Sequence, residues 1–254
     1  MNESTIWADC SDGTRIFLRR WIPETAVRAV LQIVHGMAEH SLRYERLAQR
    51  LCAQGIEVWA ADQRGHGRTA DIRVNDPGAG GLLGHCADRD GFFKVVGDVH
   101  LINGMIRRER PDCPLFLLGH SWGSFISQAY IEQHGTELAG CALSGTKGPG
   151  ELKVKLGVPF TRFMAGITGA RKPSRLVQKL VNGPYSKPFK PNRTMFDWLS
   201  RDVNEVDAYA ADPFCGHPCS SAFYRDMLGG LRAIHREGMI KMIPRELPVY
   251  IFCG

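Results

Sequence analysis

The alternation of short apolar runs with helical patterns constrains the fold more than any other feature of this chain. The apolar runs have the length of strands and occupy residues 29–36, 56–62, 114–120 and 138–145. Segments of helical period lie between them, at residues 43–55, 91–109 and 121–134. Uninterrupted apolar runs are typical of strands that are buried on both faces. The order of elements therefore predicts an α/β fold, with a mostly parallel sheet and helices on both of its faces.

Both ends of the chain carry further strand patterns. Residues 4–10 and 15–22 are β-rich and are joined by the turn signal Ser11-Asp12-Gly13-Thr14, which predicts an opening hairpin. Residues 247–254, LPVYIFCG, have the pattern of one more strand. In the helix predicted over 43–55, the spacing places Tyr44, Leu47, Leu51 and Cys52 on one face.

The segment between residues 147 and 212 differs from the rest of the chain in composition and in pattern. It contains Gly, Pro and basic clusters around short amphipathic stretches, which is typical of a helical insertion between two core strands. We therefore divide one structural domain into a core over 1–146, a lid over 147–212 and a second part of the core over 213–254.

The net charge of +6 is concentrated in one segment. Eleven Lys or Arg lie between Lys147 and Arg193 against the single acid Glu151, so this segment carries +10 and the rest of the chain −4. Such a segment attracts an anionic lipid surface or a phosphate-bearing ligand, or is simply a solvated face. No nucleic-acid-binding motif accompanies the charge, so no nucleic-acid partner is expected.

Composition indicates a reducing compartment. The eight cysteines are scattered through 254 residues, which favours buried free thiols over a disulfide framework. The N-terminal residues lack the pattern of a signal peptide, and no apolar run reaches the ~18 residues that a spanning helix needs. We expect a cytoplasmic protein, and peripheral contact with the inner membrane face through the basic lid segment 147–193 is a further hypothesis.

The predicted chemistry is concentrated at GHSWG, residues 119–123, between an apolar strand and a helix. This G-x-S-x-G pattern is typical of a tight strand-to-helix turn that exposes its serine as a nucleophile. Gly119 and Gly123 lack a Cβ because the chain passes close to itself there. Ser121 is therefore the predicted nucleophile, and a loop serine between two turn glycines is the alternative.

A second loop, HGMAEH at residues 35–40, follows the first buried strand. Acyl transfer builds negative charge on a carbonyl oxygen, and two backbone N–H groups stabilise that charge in sites of this kind. One belongs to the residue after the nucleophile and the other to this loop, so Trp122 and Met37 form the predicted oxyanion hole. His35 and His40 are expected to shape the loop, because no cluster with metal-ligand spacing joins them.

Three other motifs have weaker functional interpretations. Asp62 and His66, in DQRGHGRT at 62–69, precede Ser121, whereas the acid and base of such sites follow the nucleophile, so both are assigned to turn geometry. The glycine-rich run 78–84 lacks the pattern of a phosphate-binding loop. Residues 215–219, CGHPC, have no second cluster to complete a tetrahedral metal site. No metal or other cofactor is therefore expected.

Together these motifs resemble one branch of the α/β hydrolases, the monoacylglycerol lipase and lysophospholipase group, also described as serine aminopeptidase-like. The segments that carry the resemblance are HGMAEH, DQRGHGRT, GHCADRDGFFKVV (84–96), GHSWGS (119–124), FDWLSRDVNEVDAYAADPFCG (196–216) and LPVYIFCG. FDWLSRD and DPFCG resemble features of bacterial members. The resemblance implies the α/β-hydrolase fold and a serine esterase, EC 3.1.1.-, that cleaves single-chain acyl lipids through an acyl-enzyme on Ser121.

The resemblance also implies a lid that presents an apolar mouth to lipid. The apolar residues of the lid stand beside its basic ones and are Leu156, Val158, Phe160, Phe163, Met164 and Ile167. This combination is compatible with docking on an anionic membrane surface.

The family's acid and histidine are expected beyond Gly254, after the strand that LPVYIFCG resembles. A final strand and helix are expected to be missing as well, so we expect a fragment that is inactive as written. Ser121 needs an imidazole to take its proton and a carboxylate to orient that imidazole. The downstream candidates within the chain are Asp197, Asp202, Asp207, Asp212, His217 and His235, and none is expected to substitute. A peptidase or general carboxylesterase of this fold and a non-catalytic binding protein are the alternative functions.

Overall fold

The computed structural model describes residues 1–149 and 152–253, through which a seven-stranded sheet runs. The strands are β1 (Asn2–Asp9), β2 (Arg15–Ile22), β3 (Ala29–Val34), β4 (Ile56–Asp62), β5 (Leu115–His120), β6 (Gly140–Ser144) and β7 (Val249–Phe252). Their spatial order is β1-β2-β4-β3-β5-β6-β7. The last five strands in that order pair in parallel, whereas β2 pairs antiparallel with both β1 and β4. The predicted mostly parallel sheet with an opening hairpin is confirmed.

The helices connect these strands. They are α1 (Glu45–Cys52), α2 (Gly91–Glu109), α3 (Trp122–His134), α4 (Leu152–Thr168), α5 (Arg175–Ser186), α6 (Val203–Ala211), α7 (Ser221–Ile234) and the short α8 (Glu237–Ile240). Helix α2 begins and ends where the sequence pattern predicts. Helices α4, α5 and α6 lie between β6 and α7, in the segment predicted to be a lid.

Helices cover both faces of the sheet, as the alternation along β4 shows. Val58 and Ala60 pack in a small cluster with Ala48 of α1, whereas Trp59 and Ala61 belong to the larger cluster that includes α2, α3 and α7. Successive side chains of a strand point to opposite faces, so α1 lies on one face and the larger helical layer on the other. All four side chains are buried because both faces are covered.

The inward face of α1 differs from its predicted composition. Ala48 and Cys52 are buried, and Tyr44 and Leu51 pack against them, but Leu47 is 37% exposed. The buried stripe follows the four-residue spacing of Tyr44, Ala48 and Cys52, and Leu47 lies beside that stripe. The prediction was therefore wrong for Leu47 and missed Ala48, because a small residue permits the helix to approach the sheet closely.

Two further observations concern the surface and the thiols. Within the described residues, no helix combines the length and apolarity needed to cross a membrane. All eight cysteines are free, and five of them are buried, so most of the thiols are buried as predicted.

Candidate active site

Ser121 occupies a strained turn between β5 and α3. Its backbone angles are φ +49° and ψ −118°, a conformation that side-chain-bearing residues adopt rarely and at a cost. The Ser121 N–H donates to the Ser144 carbonyl at 2.8 Å. The Ser121 carbonyl accepts two hydrogen bonds from Ser124, one from its N–H at 2.9 Å and one from its hydroxyl at 2.5 Å. These bonds to β6 and α3 hold the strained angles in place.

The two glycines of the motif have no room for a side chain. A Cβ on Gly119 would lie 2.6 Å from the Gly123 carbonyl oxygen and 2.7 Å from the Cα of Ser124. A Cβ on Gly123 would overlap the Val34 carbonyl oxygen and lie 2.5 Å from that of His35. The first glycine permits the turn to close, and the second permits α3 to start directly beside the end of β3.

The loop after β3 lies against Ser121, as the sequence predicts. A Cβ on Gly36 would be 3.4 Å from the Cβ of Ser121. The N–H groups of Met37 and Trp122 donate to no protein acceptor among the described residues, and Trp122 is the first residue of α3, where backbone N–H groups have no partner within the helix. Met37 follows Gly36 and Trp122 follows Ser121, so the two predicted oxyanion donors belong to the two segments that meet at the serine.

Glu39 holds this loop in shape. Its buried carboxylate accepts from the Gly36 N–H at 2.5 Å, from the Tyr44 hydroxyl at 2.9 Å and from Nε of Arg43 at 3.0 Å. Burial acts to raise the pKa of Glu39, but the charges of His120 and other neighbours and the Gly36 N–H hold the pKa below its usual value. The carboxylate therefore stays ionised at neutral pH and fixes the backbone that precedes Met37.

The end of the lid segment holds the same loop from the other side. The Ala38 carbonyl accepts from the Tyr209 hydroxyl at 2.8 Å and from the Gly216 N–H at 2.9 Å. Ala38 has φ +54°, so these bonds stabilise a strained residue. His40 Nε2 lies 2.8 Å from Oδ2 of Asp212. Residues 35–40 and 209–216, two segments that carry the resemblance, are thus packed on each other.

The segment DQRGHGRT at 62–69 supports the site through its buried turn. Asp62 accepts from the N–H and hydroxyl of Ser41 at 2.8 and 2.6 Å and from the N–H of Arg68 at 2.7 Å. His66 Nδ1 lies 2.9 Å from the Arg64 carbonyl, and its ring stacks on Trp122 at a centroid distance of 5.4 Å. Asp62 and His66 therefore stabilise the turn through hydrogen bonds to nearby residues. The His66 imidazole also packs on Trp122 and holds its ring in position.

The downstream candidates for acid and base have other partners. Among residues 1–149 and 152–253, no side chain forms a hydrogen bond with the Ser121 hydroxyl. Asp197 accepts from the Thr194 hydroxyl, and Asp202 accepts from the Asn204 N–H at the start of α6. Asp207 pairs with Arg193, and Asp212 lies at hydrogen-bond distance from His40.

The two downstream histidines are also placed elsewhere. His235 lies 3.2 Å from the Gln128 side chain, and His217 packs against His66 at a centroid distance of 5.6 Å. Burial, with the charge of His35, lowers the pKa of His217 to about 4, so its ring is neutral at pH 7. The structure therefore brings Ser121, Met37 and Trp122 together but places none of these acids or histidines at the serine.

Sequence reasoning missed the groups that support the loop. Glu39 and Tyr209 lie 170 residues apart in the chain, and each acts through a backbone atom of residues 36–38. The positive φ of Ala38 leaves no signal in the sequence, because alanine is not a residue that favours this conformation. The only available signal was the co-occurrence of the 35–40 and 196–216 segments in the resemblance.

Comparison with known proteins places this site in a family. Residues 25–254 match the model of the Hydrolase_4 family, described as serine aminopeptidase, S33. A monoacylglycerol lipase of Mycolicibacterium smegmatis is 34% identical over 206 residues, which are 81% of this chain and 62% of the lipase. Human monoglyceride lipase is 28% identical over 229 residues, which are 89% of this chain and 65% of that protein. The chain thus matches less than two thirds of the length of either lipase.

A solved structure agrees with the fold. The crystal structure of a thermostable carboxyl esterase from Bacillus coagulans, in complex with glycerol, superposes with a TM-score of 0.86 at 25% identity. The superposition covers 98% of this chain and 79% of the esterase. The sheet order and the helical layers described above are those of the α/β-hydrolase fold.

Proposed function

The chain belongs to the serine aminopeptidase S33 family of α/β hydrolases, and from that premise we propose that it is a serine hydrolase of carboxylic esters whose substrates are single-chain acyl lipids, a monoacylglycerol or a lysophospholipid. The observation that carries this proposal is the strained backbone of Ser121 between β5 and α3, together with the N–H groups of Met37 and Trp122, for which residues 1–149 and 152–253 provide no acceptor. A strained turn that exposes a hydroxyl to N–H donors is what acyl transfer to serine requires. The names of the mycobacterial and human relatives support an ester substrate.

In the proposed reaction, the Ser121 hydroxyl oxygen attacks the ester carbonyl carbon and gives its proton to a base. The carbonyl oxygen becomes an oxyanion and accepts hydrogen bonds from the N–H groups of Met37 and Trp122. Collapse of the adduct breaks the bond to the glycerol oxygen, which leaves with a proton, and the acyl group stays on Ser121. Water then attacks the acyl-enzyme and releases the fatty acid. The base is an imidazole, and the described residues place none at Ser121, so residues 1–254 alone are proposed to turn over slowly.

Replacement of Ser121 by alanine tests the nucleophile. We expect the 254-residue chain to cleave a 4-nitrophenyl acyl ester near the roughly 10³- to 10⁴-fold acceleration over water that remains when a triad is lost. Added imidazole should raise that rate, since a base that reaches the serine hydroxyl takes its proton. The rise should be larger for the wild type than for Ser121→Ala, because the rise in that variant measures only the direct reaction of imidazole with the ester.

The outcomes separate the proposal from its alternatives. Equal rates for wild type and Ser121→Ala, with and without imidazole, would show that the serine does not react and would favour a binding protein. Faster release from aminoacyl anilides than from acyl esters, again dependent on Ser121, would favour a peptidase. Mass spectrometry of the intact chain after ester addition detects the acyl group on Ser121 directly.

The lid segment is proposed to dock on an anionic lipid surface. Helix α4 exposes Phe163 and Ile167 by 64% and 63%, and α5 exposes Leu176 and Leu180 by 52% and 58%. Each pair has the four-residue spacing of one helix face. The exposed Lys179 and other basic residues lie beside these faces, although Gly150, Glu151 and the side chains of 152–156, which include two lysines, lie outside the described residues. Apolar helix faces flanked by basic residues are typical of interfacial binding.

Vesicle co-sedimentation tests the docking surface. On vesicles of phosphatidylglycerol and phosphatidylcholine, Phe163→Ser with Ile167→Ser should weaken binding at least about tenfold, because two inserted apolar side chains are lost. Met242→Ser is the matched control, since Met242 is 56% exposed outside the lid. Salt should weaken wild-type binding as well, because the attraction to the lipid is partly electrostatic. Equal binding by the double variant and the control would contradict the proposal.

A further inference from the structure

Two histidines and a glutamate meet where α2 and α3 pack, far from Ser121. His100 lies in α2, His134 is the last residue of α3, and Glu137 lies in the single turn that follows α3. The two imidazole rings stack with their centroids 3.9 Å apart and their planes 12° apart. Helix α3 has 13 residues, so at ~1.5 Å per residue the group lies about 20 Å along the helix from the nucleophile.

The donor atoms of these side chains have the spacing of metal ligands. His100 Nδ1 lies 3.4 Å from Oε2 of Glu137, and His134 Nδ1 lies 3.8 Å from Oε1 of the same carboxylate. One donor atom from each residue lies within 4.8 Å of the others. With metal–donor bonds of roughly 2.0–2.2 Å, tetrahedral ligands are about 3.4 Å apart, which is close to these distances. The lone pair of an imidazole nitrogen lies in the ring plane, so the two stacked rings must rotate out of their parallel arrangement to point at one ion, and both side chains are partly exposed.

A hydrogen bond from a buried tyrosine orients the Glu137 carboxylate. Tyr130 is fully buried, and its hydroxyl donates to Oε2 of Glu137 at 2.8 Å. Hydrogen bonds of this kind orient metal-binding carboxylates and increase metal affinity. His100 Nδ1 is itself buried and has no hydrogen-bond partner among the described residues, although its ring is 44% exposed.

We propose that His100, His134 and Glu137 bind a zinc ion that ties the end of α3 to α2. Two imidazoles and one carboxylate are a ligand set that suits Zn²⁺, with a fourth position left to water. No sequence motif predicts this site, because His100 and His134 are 34 residues apart and only helix packing brings them together.

A second cluster of donor atoms, His40, Asp212 and Cys215, is a weaker candidate. His40 and Asp212 already bond to each other at 2.8 Å. The Arg43 guanidinium lies against Cys215, and burial raises the pKa of that thiol to about 12. A fixed positive charge beside a protonated thiol disfavours a divalent cation, and this cluster therefore serves as the control.

Calorimetric titration of tag-free protein with zinc chloride tests the proposal. Every protein in the series carries Cys253→Ser, because the exposed thiol of Cys253 could itself bind zinc. We expect one ion per chain and a higher melting temperature with zinc than without it. His100→Gln and His134→Gln should each weaken binding more than about tenfold and abolish the rise, and Tyr130→Phe should weaken binding about tenfold. Cys215→Ser should bind as the parent does.

Cobalt substitution identifies the ligands independently of activity. Nitrogen and oxygen ligands give visible bands without thiolate charge transfer, so the Co²⁺ spectrum should lack a thiolate band and should change in His134→Gln. Far-ultraviolet circular dichroism of each variant verifies that it is folded. Glu137→Gln removes the charge of the third ligand but keeps an acceptor for the Tyr130 hydroxyl, so it perturbs the fold less than removal of the side chain would. No stoichiometric zinc binding, binding unchanged by both histidine variants, or loss only in Cys215→Ser would each overturn the proposal.

Discussion

Replacing Gly123 by alanine is expected to destabilise the protein by about 4 kcal/mol or more, beyond the ordinary cost of overpacking. The new Cβ would overlap the Val34 carbonyl oxygen and lie 2.5 Å from that of His35. Both oxygens belong to the backbone at the end of β3, which cannot move without disturbing the parallel pairing of that strand. The melting temperature should fall by about 8 °C or more, at about 2–4 °C per kcal/mol for a chain of this size.

Gly97→Ala is the matched control. Gly97 lies exposed within α2, and a Cβ there has no heavy atom within 4 Å outside the helix. Alanine is the better helix former, so this variant should be about 0.5–1 kcal/mol more stable than the wild type. Urea and thermal unfolding followed by circular dichroism measure both changes. A Gly123→Ala protein within about 1 kcal/mol of the wild type would show that α3 does not start as close to β3 as described.

Replacing Arg64 by methionine is expected to cost about 3–5 kcal/mol, because it leaves a buried carboxylate without a partner. The Arg64 guanidinium donates to both oxygens of Asp98, at 2.6 and 2.8 Å, and to Asp12 at 2.7 Å. Arg64 and Asp98 are 3% and 8% exposed. The melting temperature should fall by about 6–20 °C, and packing of His66 on Trp122 should loosen because Arg64 anchors that turn.

The pH dependence of this loss distinguishes a charge effect from a packing effect. Burial raises the pKa of Asp98 even with Arg64 present, and removal of the guanidinium raises it further. A raised carboxyl pKa in the folded state penalises folding at high pH and ceases to do so once both states are protonated. The gap between variant and wild type should therefore shrink as the pH falls from 7 toward about 4.

Two companion variants complete the test. Arg64→Met with Asp98→Asn should recover part of the loss, since no buried charge remains. Arg73→Met removes an exposed ion pair with Asp71 and should leave unfolding unchanged. A single variant whose deficit is the same at pH 7 and pH 4 would indicate lost packing alone.

The strands and the main helices could be predicted because their signals are local. Apolar runs in the sequence predict the parallel strands. Patterns of helical period that start beside glycine or serine predict α2 and α3. Leu47 shows the limit of this reasoning, because spacing narrows a helix face but the exact edge of the buried stripe depends on how closely α1 approaches β4.

The sequence by itself determined the alternating architecture and the position of the half-buried Ser121 in the turn between β5 and α3. The turn at Ser121 needs glycines at fixed offsets, so five consecutive residues specify it. Only the tertiary structure decided which groups support that serine and which distant residues meet. Glu39 and Tyr209 act on the loop at 36–38, and Arg64 reaches Asp98, because strand order and register brought separate segments together. His100 and His134 meet for the same physical reason: a contact between distant residues depends on how packed elements are aligned, and no local pattern encodes that alignment.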